Sequence, residues 1–332
     1  MKTVQLVGKE VGQVGYGLMG LTWRPSPPSQ AQSFKAMRAA LAHGANFWNG
    51  GEIYGSPERN SLHLLSEYFT QYPDDADKVV LSIKGALLPG QMVPDSSAKN
   101  IKRSIDECLR FLDGKKSLDL FECARLDGKT DIEDVVATIG EYVKAGKVGG
   151  ISLSEVSAKT IRRAAKVQKI AAVEVEFSLW ATDLLENGVA EACKEHDIPI
   201  IAYSPLGRGF LTGQYKSFDD LPADSMLRSY PRFQPDVFDE NLKLVREVET
   251  IAKQKSVTPA QIAISWILAK SGQDGYPVII PIPGATTEER INENMNPIPL
   301  TKKDVAAIDD ALKRVTVKGN RYPDAGMHHV DM

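Results

Sequence analysis

The chain has 332 residues, of which 42% are hydrophobic and 25% charged, as in ordinary soluble globular proteins. Its 40 Lys and Arg against 43 Asp and Glu leave a formal charge of −3, which argues against a nucleic-acid-binding or membrane-binding surface. No stretch approaches the roughly 18 apolar residues of a membrane span, and Lys9 and Glu10 interrupt any signal-peptide core. The three cysteines are widely separated without a CxxC pair, so we expect reduced thiols in a cytoplasmic or nuclear protein.

Apolar, often β-branched runs alternate along the chain with stretches of helical period. The opening runs VQLV and VGQVG, separated by Gly8-Lys9, predict a small hairpin followed by a strand. Seven further runs predict strands, at 45–48, 78–85, 117–122, 147–153, 171–177, 198–203 and 276–282. Helices are predicted at 29–43, from Pro57, and at 97–112, 131–145, 157–168, 183–196, 238–255, 258–270, 286–295 and 302–314.

The eight strand–helix units follow one another without a linker or a sequence repeat. Strict alternation predicts an α/β fold with a parallel sheet covered by helices, and eight units favour closure into a (β/α)8 TIM barrel. Length alone suggests roughly two domains, but the barrel accounts for residues 1–332 as a single domain. The surplus lies in the hairpin, the tail and segment 204–236, which we expect to extend over the C-terminal face and cover the site.

Residues 15–20, GYGLMG, match the GxGxxG fingerprint of dinucleotide-binding proteins. That motif works only when a helix begins within it and directs its N-terminus at the pyrophosphate. The following sequence, LTWRPSPPSQ, contains three prolines, which we expect to exclude this helix. We therefore interpret the motif as a glycine-rich turn where a ligand can approach the backbone.

The active site of such a barrel lies at the C-terminal ends of its strands. Lys84 ends the third strand after the apolar run VVLSI, so we expect a buried ammonium with a perturbed pKa and a specific partner. Alone, Lys84 could be a structural ion-pair partner and Tyr54 a core aromatic. Together they predict a general acid, because a nearby ammonium lowers the pKa of tyrosine below its usual value of about 10. No histidine is placed to compete, which disfavours a metal site or a Ser-His hydrolase.

A second group of polar residues follows the eighth strand. Gly284 opens a turn, Thr286 and Thr287 can cap the next helix, and Arg290 lies one turn further. Hydroxyls, free N–H groups and a guanidinium at one point suit a phosphate. The alternative is an ordinary capped helix with a surface arginine.

Taken together, these residues resemble the aldo-keto reductases over the whole chain. The matching blocks are VGYGLMGL, GANFWNGGEIYG, LSIKG, SLDLFECARLD, GKVGGISLSEVSAKTIRRA, VEVEFSLW, AYSPLGRGFLTG and IPIPGATTEERINEN. The resemblance implies an (α/β)8 barrel that binds NADPH in extended form. It also implies hydride transfer from the nicotinamide to an aldehyde or ketone.

The sequence departs from the catalytic tetrad of that family, which is Asp, Tyr, Lys and His. Tyr54 and Lys84 match the acid and the lysine, whereas Asn49 replaces the aspartate and Ala124 replaces the histidine. We expect Asn49 to accept a hydrogen bond from Lys84 without supplying a negative charge. At Ala124 we expect a water or a polar group of the substrate, which indicates a narrow, specialised substrate.

The resemblance also implies which residues bind the cofactor, and it favours NADPH over NADH. Ser154 and Glu155 match positions at the carboxamide, Glu174 stands where a glutamine is usual, and Tyr203 matches the aromatic that stacks on the nicotinamide. The other cofactor positions serve the glycine-rich turn, the pyrophosphate, the 2′-phosphate and the adenine; they are Gly17, Ser204, Leu206, Arg208, Gly284, Thr286, Thr287, Arg290, Glu293 and Asn294.

Within the family, the segments FWNGGE and FECAR resemble the fungal pyridoxal reductases, which implies reduction of pyridoxal to pyridoxine. Trp23, Trp48 and Arg125 are candidates for the wall of the substrate pocket, although each could equally be core or scaffold. Three alternatives stay open. The chain could reduce other aldehydes, it could be a cofactor-binding regulatory protein with weak activity, or it could be a barrel lyase that uses Lys84 as a Schiff base.

Overall fold

A computed structural model describes residues 2–273 and 275–332. Its centre is an eight-stranded sheet in which each strand pairs in parallel with the next strand along the series. The strands are Tyr16–Gly17, Phe47–Gly51, Val80–Gly85, Leu118–Cys123, Val148–Ser154, Ile170–Glu176, Ile200–Tyr203 and Ile279–Pro281. A parallel bridge between Gly17 and Gly284 joins the first strand to the segment after the last, so the sheet closes into the predicted (β/α)8 barrel.

The two-residue period of the strands divides their side chains between the barrel interior and the helices. Near the N-terminal ends, the interior holds a small apolar core of Phe47, Val80, Leu120, Ala172, Ile201 and Ile280. The predicted hairpin, Thr3–Leu6 paired with Lys9–Gly12, adds Leu6 and Val11 to this core and closes that end. Further along the same strands the interior side chains become polar. The side chains that could take part in a reaction therefore lie in the C-terminal half of the barrel.

Helices surround the sheet and bury the larger apolar core between sheet and helices. The helices of seven or more residues are Gln30–Ala42, Ser61–Gln71, Ala98–Leu112, Ile132–Lys144, Ala158–Val167, Val189–Glu195, Pro235–Lys255, Pro259–Lys270, Glu288–Asn294 and Lys302–Arg314. Ser29, Ser97, Ser157 and Thr258 each accept a hydrogen bond from a first-turn N–H, as expected of N-caps. Within the described ranges, no helix combines the length and the apolar character that a membrane span requires.

The structure differs from the predicted helices at three places. The helix expected from Pro57 begins at Ser61, because Asn60 caps it and the preceding residues form a short hairpin. The helix expected over 183–196 is interrupted by Gly188, whose φ of +79° is not helical, and only Val189–Glu195 is α-helical. A single helical turn, Met19–Thr22, begins inside the GxGxxG motif, which the sequence did not predict, and it ends before the three prolines.

Segment 204–236 is largely irregular and contains three short 3-10 helices, Phe218–Asp220, Met226–Ser229 and Pro231–Phe233, together with a kinked turn over Gly207–Thr212. Three consecutive residues in it, Gly207 to Gly209, have positive φ angles of 56°, 58° and 92°. The cysteines Cys108, Cys123 and Cys193 are all buried free thiols. In the described part of the chain, no group of three or more His, Cys, Asp or Glu residues is placed to hold a metal ion.

Candidate active site

The C-terminal half of the barrel interior brings Lys84 and Asn49 together. Both are at most 5% exposed, and the Lys84 Nζ donates to Asn49 Oδ1 over 3.3 Å. This confirms the hydrogen bond expected between them. Asn49 supplies no negative charge to the ammonium, but the sixth strand does, because Glu174 forms an ion pair with Lys84. Burial alone would lower the pKa of Lys84, but the neighbouring Glu174 carboxylate raises it above the usual lysine value.

Tyr54 lies in the turn after the second strand, where two local features hold its ring. A Cβ at Gly51 would lie only 2.9 Å from the tyrosine ring, so glycine allows the turn to pass this closely. The Thr22 hydroxyl donates to the Tyr54 carbonyl oxygen over 2.6 Å, and the Trp23 ring stacks on the Tyr54 ring at 5.5 Å between centroids. The ammonium of Lys84 lies 5.9 Å from the centroid of the Tyr54 ring, so the predicted acid and lysine are neighbours.

The direction of the pKa shift predicted for Tyr54 was wrong. Burial raises the pKa of Tyr54, and the opposing effect of Lys84 does not overcome it. The side chain is 8% exposed, so a phenolate there would lose most of its hydration. Tyr54 therefore keeps its proton at neutral pH, as a residue that donates a proton must.

Arg125 hydrogen-bonds to neutral oxygen atoms at the same end of the barrel. Its guanidinium donates to the Ala124 carbonyl oxygen over 2.6 Å and to the Ser154 hydroxyl over 3.3 Å. The hydroxyls of Tyr203 and Tyr322 lie 3.4 and 3.2 Å from its other terminal nitrogen. In the described part of the chain, no carboxylate lies within 4.0 Å of this guanidinium. The site thus presents a cation that lacks a contacting anion.

The C-terminal tail crosses the same face of the barrel. Arg321 is 8% exposed and forms ion pairs with Glu155 at 3.0 Å and Glu176 at 3.4 Å. The Tyr322 and Tyr203 hydroxyl oxygens lie 2.8 Å apart. Arg208 lies over the rings of Tyr230 and Tyr322, at 4.4 and 4.6 Å from their centroids. The tail and segment 204–236 therefore cover the C-terminal face of the barrel together. The prediction named segment 204–236 alone.

Removal of the tail arginine should loosen this cover. We expect Arg321→Met to lower the free energy of unfolding by about 3 kcal/mol at pH 7, because Glu155 would be left buried without its main partner. Burial raises the pKa of Glu155, but Arg321 and Arg125 hold it below the usual carboxyl value. The stabilisation is therefore present above pH 4.5 and is lost as the pH falls through the lowered pKa.

Denaturant unfolding at several pH values and limited proteolysis of the tail measure this effect. Arg314→Met is the matched control, since Arg314 pairs with Glu247 on the surface and should contribute less than about 1 kcal/mol. Equal stabilities of the two variants at pH 7 would contradict a structural role of the Arg321 ion pairs.

The residues predicted to hold the phosphates lie along one edge of the barrel opening. Gly17 and Gly284 face each other across the closing seam, and Tyr16 donates to the Ala285 carbonyl oxygen over 2.6 Å. Thr287 caps the helix Glu288–Asn294 by accepting from the Arg290 N–H. The Arg290 side chain is half exposed and forms an ion pair with Glu293 at 2.7 Å.

The other predicted cofactor residues are distributed around that opening. Thr286 and Ser204 are partly exposed, whereas Leu206 and Asn294 are buried. Ser204 and Glu155 both have positive φ angles, of 48° and 53°, at the points where the chain leaves the seventh and fifth strands. Their roles as cofactor contacts stay predictions.

One predicted pocket residue lies elsewhere. Trp48 is fully buried among Tyr16, Tyr68 and Phe69, on the side of the sheet that faces the helices. Its assignment to the substrate pocket was wrong, because Asn49 points into the barrel and its strand neighbour must therefore point outwards. Ala124 directly follows the fourth strand at 4% exposure, and its side chain has no donor to orient a substrate.

Sequence reasoning missed Arg321, Tyr322 and the role of Glu122. Glu122 has a signal in the sequence, since it is a carboxylate at the end of an apolar strand, two residues before the position of the usual histidine. The tail has no periodic pattern, so no local signal places it over the site.

The sequence of this chain also matches a model of a known protein family. The model of the Aldo/keto reductase family matches residues 13–313. The chain belongs to the aldo/keto reductase family. Among curated aldo/keto reductase relatives, "Probable pyridoxal reductase 2" of Schizosaccharomyces pombe is 39% identical and covers 95% of this chain and 96% of its own length. "Aldo-keto reductase yakc [NADP(+)]" of the same organism is 36% identical over 94% of this chain and 92% of its own.

Solved aldo/keto reductase structures support the fold. The glycerol dehydrogenase of Gluconobacter oxydans aligns with a TM-score of 0.82 over 96% of this chain and 97% of its own, at 22% sequence identity. That identity is low enough for the likeness to concern the barrel alone.

Proposed function

We propose that this aldo/keto reductase is an NADPH-dependent carbonyl reductase and that pyridoxal is its substrate, reduced to pyridoxine. The observation that carries the proposal is the pairing of Tyr54 with the Lys84 ammonium at the C-terminal end of the barrel. The names of the two curated relatives support the substrate and the cofactor.

The chain's own residues would perform the proton chemistry. Tyr54 donates its hydroxyl proton to the carbonyl oxygen of the substrate, and the neighbouring Lys84 ammonium stabilises the phenolate that forms. The nicotinamide nucleotide, when bound, supplies the hydride. Lys84 acts as a fixed charge, because its raised pKa keeps it protonated at neutral pH.

The residues at the barrel opening fit a dinucleotide by their donor chemistry. The loop Gly207–Gly209 has a left-handed backbone at three consecutive residues, which is the kind of segment that can direct N–H groups towards an anion. Arg208 lies in that loop, and the Thr287 hydroxyl and the Arg290 guanidinium lie at the start of Glu288–Asn294. Arg208 would hold the pyrophosphate and Arg290 the 2′-phosphate.

A substitution at Arg290 tests the choice of nucleotide. Arg290→Ala should raise the KM for NADPH about 10- to 100-fold, because a charge-assisted contact is worth about 1.5–3 kcal/mol. The KM for NADH should change little, since NADH lacks the 2′-phosphate. Steady-state kinetics with both nucleotides measure this, and Lys35→Ala, beside the same helix, is the control. Equal effects of Arg290→Ala on the two nucleotides would refute the phosphate contact.

Arg125 and Ala124 support an anionic, compact substrate. Among the described residues the guanidinium has neutral partners alone, so an anionic oxygen such as the phenolate of pyridoxal would supply the missing charge. Ala124 leaves space beside it where the usual histidine would stand. The substrate's own polar groups can then orient the carbonyl.

The proposal is tested by following NADPH absorbance with pyridoxal, pyridoxal phosphate and a panel of neutral aldehydes. We expect a higher kcat/KM for pyridoxal than for benzaldehyde, and Arg125→Met should remove most of that preference. Preference for neutral aldehydes would reduce the proposal to a carbonyl reductase of another substrate. NADPH binding without oxidation by any aldehyde would favour the regulatory alternative.

The lyase alternative lacks support in the geometry. A Schiff base requires a free amine, whereas Glu174 and Asn49 engage the Lys84 ammonium and its pKa is raised. Borohydride trapping of a carbonyl compound on Lys84 would be the result that reverses this conclusion.

A further inference from the structure

Three buried side chains form a closed ring of hydrogen bonds under Tyr54. Lys84 Nζ donates to Glu174 Oε1 and, over 3.3 Å, to Asn49 Oδ1. Asn49 Nδ2 closes the ring by donating to Glu174 Oε2 over 2.7 Å. All three residues are at most 5% exposed. The ring restrains the position of the ammonium, because the two side chains that accept its hydrogen bonds are also hydrogen-bonded to each other.

Glu122 lies beside the ring but does not close it. Its Oε1 is 3.8 Å from Lys84 Nζ and has no hydrogen-bond partner in the described part of the chain. Its Oε2 accepts from the Ser152 hydroxyl over 2.7 Å. One ammonium cannot neutralise two buried carboxylates, and an ionised Oε1 would be an unpaired buried charge. Burial and the neighbouring Glu174 accordingly raise the pKa of Glu122 far above its usual value of 4.5, so it is the protonated member of the pair.

We propose that Glu174 is the positioning residue of the site: it is the anion that holds Lys84 beside Tyr54, while Asn49 serves as the neutral link that completes the ring. The inference builds on the proposed reductase function. It gives the buried carboxylate of the sixth strand a role other than contact with the cofactor. Glu174 acts on catalysis only through the lysine.

The ring makes a specific exchange possible. Glu174 and Asn49 contact each other, and both accept from the Lys84 ammonium. Exchanging the acid and the amide between these two positions therefore conserves one negative charge, one amide and the same set of hydrogen-bonding groups. A residue whose charge matters through Lys84 should tolerate the exchange. A residue whose carboxylate contacts a nucleotide should not, because the exchange moves that carboxylate to another strand.

The first variant removes the anion. Glu174→Gln should lower kcat by about tenfold or more. The titratable groups around Tyr54 are Lys84, Glu174, Glu122 and Arg125. Of these, the Lys84 ammonium lowers the pKa of Tyr54 and the Glu174 carboxylate raises it. Loss of Glu174 should therefore move the alkaline limb of the kcat–pH profile to lower pH. Glu176→Gln removes a buried carboxylate from the same strand without touching the ring, and it should leave the position of that limb unchanged.

The second variant restores the anion at the other position. Asn49→Asp combined with Glu174→Gln should return kcat to within about threefold of the parent and should return the alkaline limb to its original pH. An unchanged kcat and pH profile in Glu174→Gln would overturn the proposal. So would a loss of activity that the exchange does not restore, accompanied by weaker NADPH binding in fluorescence titration.

Thermal unfolding separates this proposal from the proposed function. Glu174→Gln should lower the Tm because Lys84 loses its ion pair, and the exchange should recover most of the loss. If the parent protein reduces no carbonyl but the Tm follows this pattern, the ring is confirmed and the reductase function is wrong. If the Tm of Glu174→Gln equals that of the parent, the ring is not what holds Lys84.

Discussion

Tyr54→Phe is expected to lower kcat about a thousandfold while NADPH still binds. The substitution removes the hydroxyl proposed to protonate the substrate oxygen beside the Lys84 ammonium, and general acid catalysis contributes roughly 10²- to 10⁴-fold. Single-turnover oxidation of bound NADPH by pyridoxal measures the chemical step. Fluorescence titration with NADPH measures binding, which should change less than about threefold, within the few tenths of a kcal/mol typical of a neutral substitution.

Phenylalanine should keep the local fold at position 54. The Thr22 hydroxyl contacts the backbone carbonyl of residue 54, and the Trp23 ring stacks on its aromatic ring, so both contacts survive. Circular dichroism and the Tm are expected to match the parent. A variant that folds, binds NADPH and keeps its turnover would remove Tyr54 from the mechanism.

The raised pKa of Tyr54 sets the expected pH dependence of the parent enzyme. Burial favours the neutral hydroxyl, so the acid form persists through the neutral range and is lost only under alkaline conditions. This differs from the expectation drawn from the sequence, in which the ammonium alone determined the shift. The positions of Tyr54 and Lys84 after neighbouring strands indicated that the ammonium lies near the tyrosine, but they did not show how deeply the tyrosine ring is buried.

Most of the fold could be predicted because it depends on local patterns. Apolar runs place the eight strands, and Ser29, Ser97 and Thr258 mark the starts of helices by side-chain caps. Errors arose where two local signals competed. Pro57 suits a first helical turn, but Asn60 provides the cap with its side-chain oxygen, and the helix starts there.

The charge balance of the site could not be predicted because it depends on which strands meet. Lys84 and Glu174 are separated by 90 residues, and the pairs between Arg321 and the strand ends span 145 to 166. The sequence shows an aspartate replaced by Asn49 but not that Glu174 compensates from the opposite side of the interior. Trp48 shows the same limit, since a shift of one residue decides between core and pocket.

Lys84→Met is expected to destabilise the protein by about 3–5 kcal/mol in addition to abolishing turnover. It leaves the Glu174 carboxylate buried beside the protonated Glu122 without a cation, and breaking a buried ion pair by removing one partner costs about this much. Lys84 also lowers the pKa of Glu122, so its removal raises that pKa further and makes folding more costly as the pH rises. The Tm difference from the parent should therefore grow from pH 5 to pH 8, as differential scanning calorimetry would show.

A double-mutant cycle identifies the source of that instability. Lys84→Met combined with Glu174→Gln replaces the ion pair with neutral groups, so it should be more stable than Lys84→Met alone by about 1–3 kcal/mol. Arg59→Met combined with Glu67→Gln, at an exposed pair, should show coupling below about 1 kcal/mol. If removing Glu174 gave no recovery, the cost would come from lost packing of the lysine stem rather than from the stranded carboxylate. Recovery of stability in the double variant would show that Glu174, the carboxylate that anchors the ammonium, is also the reason why loss of Lys84 destabilises the fold.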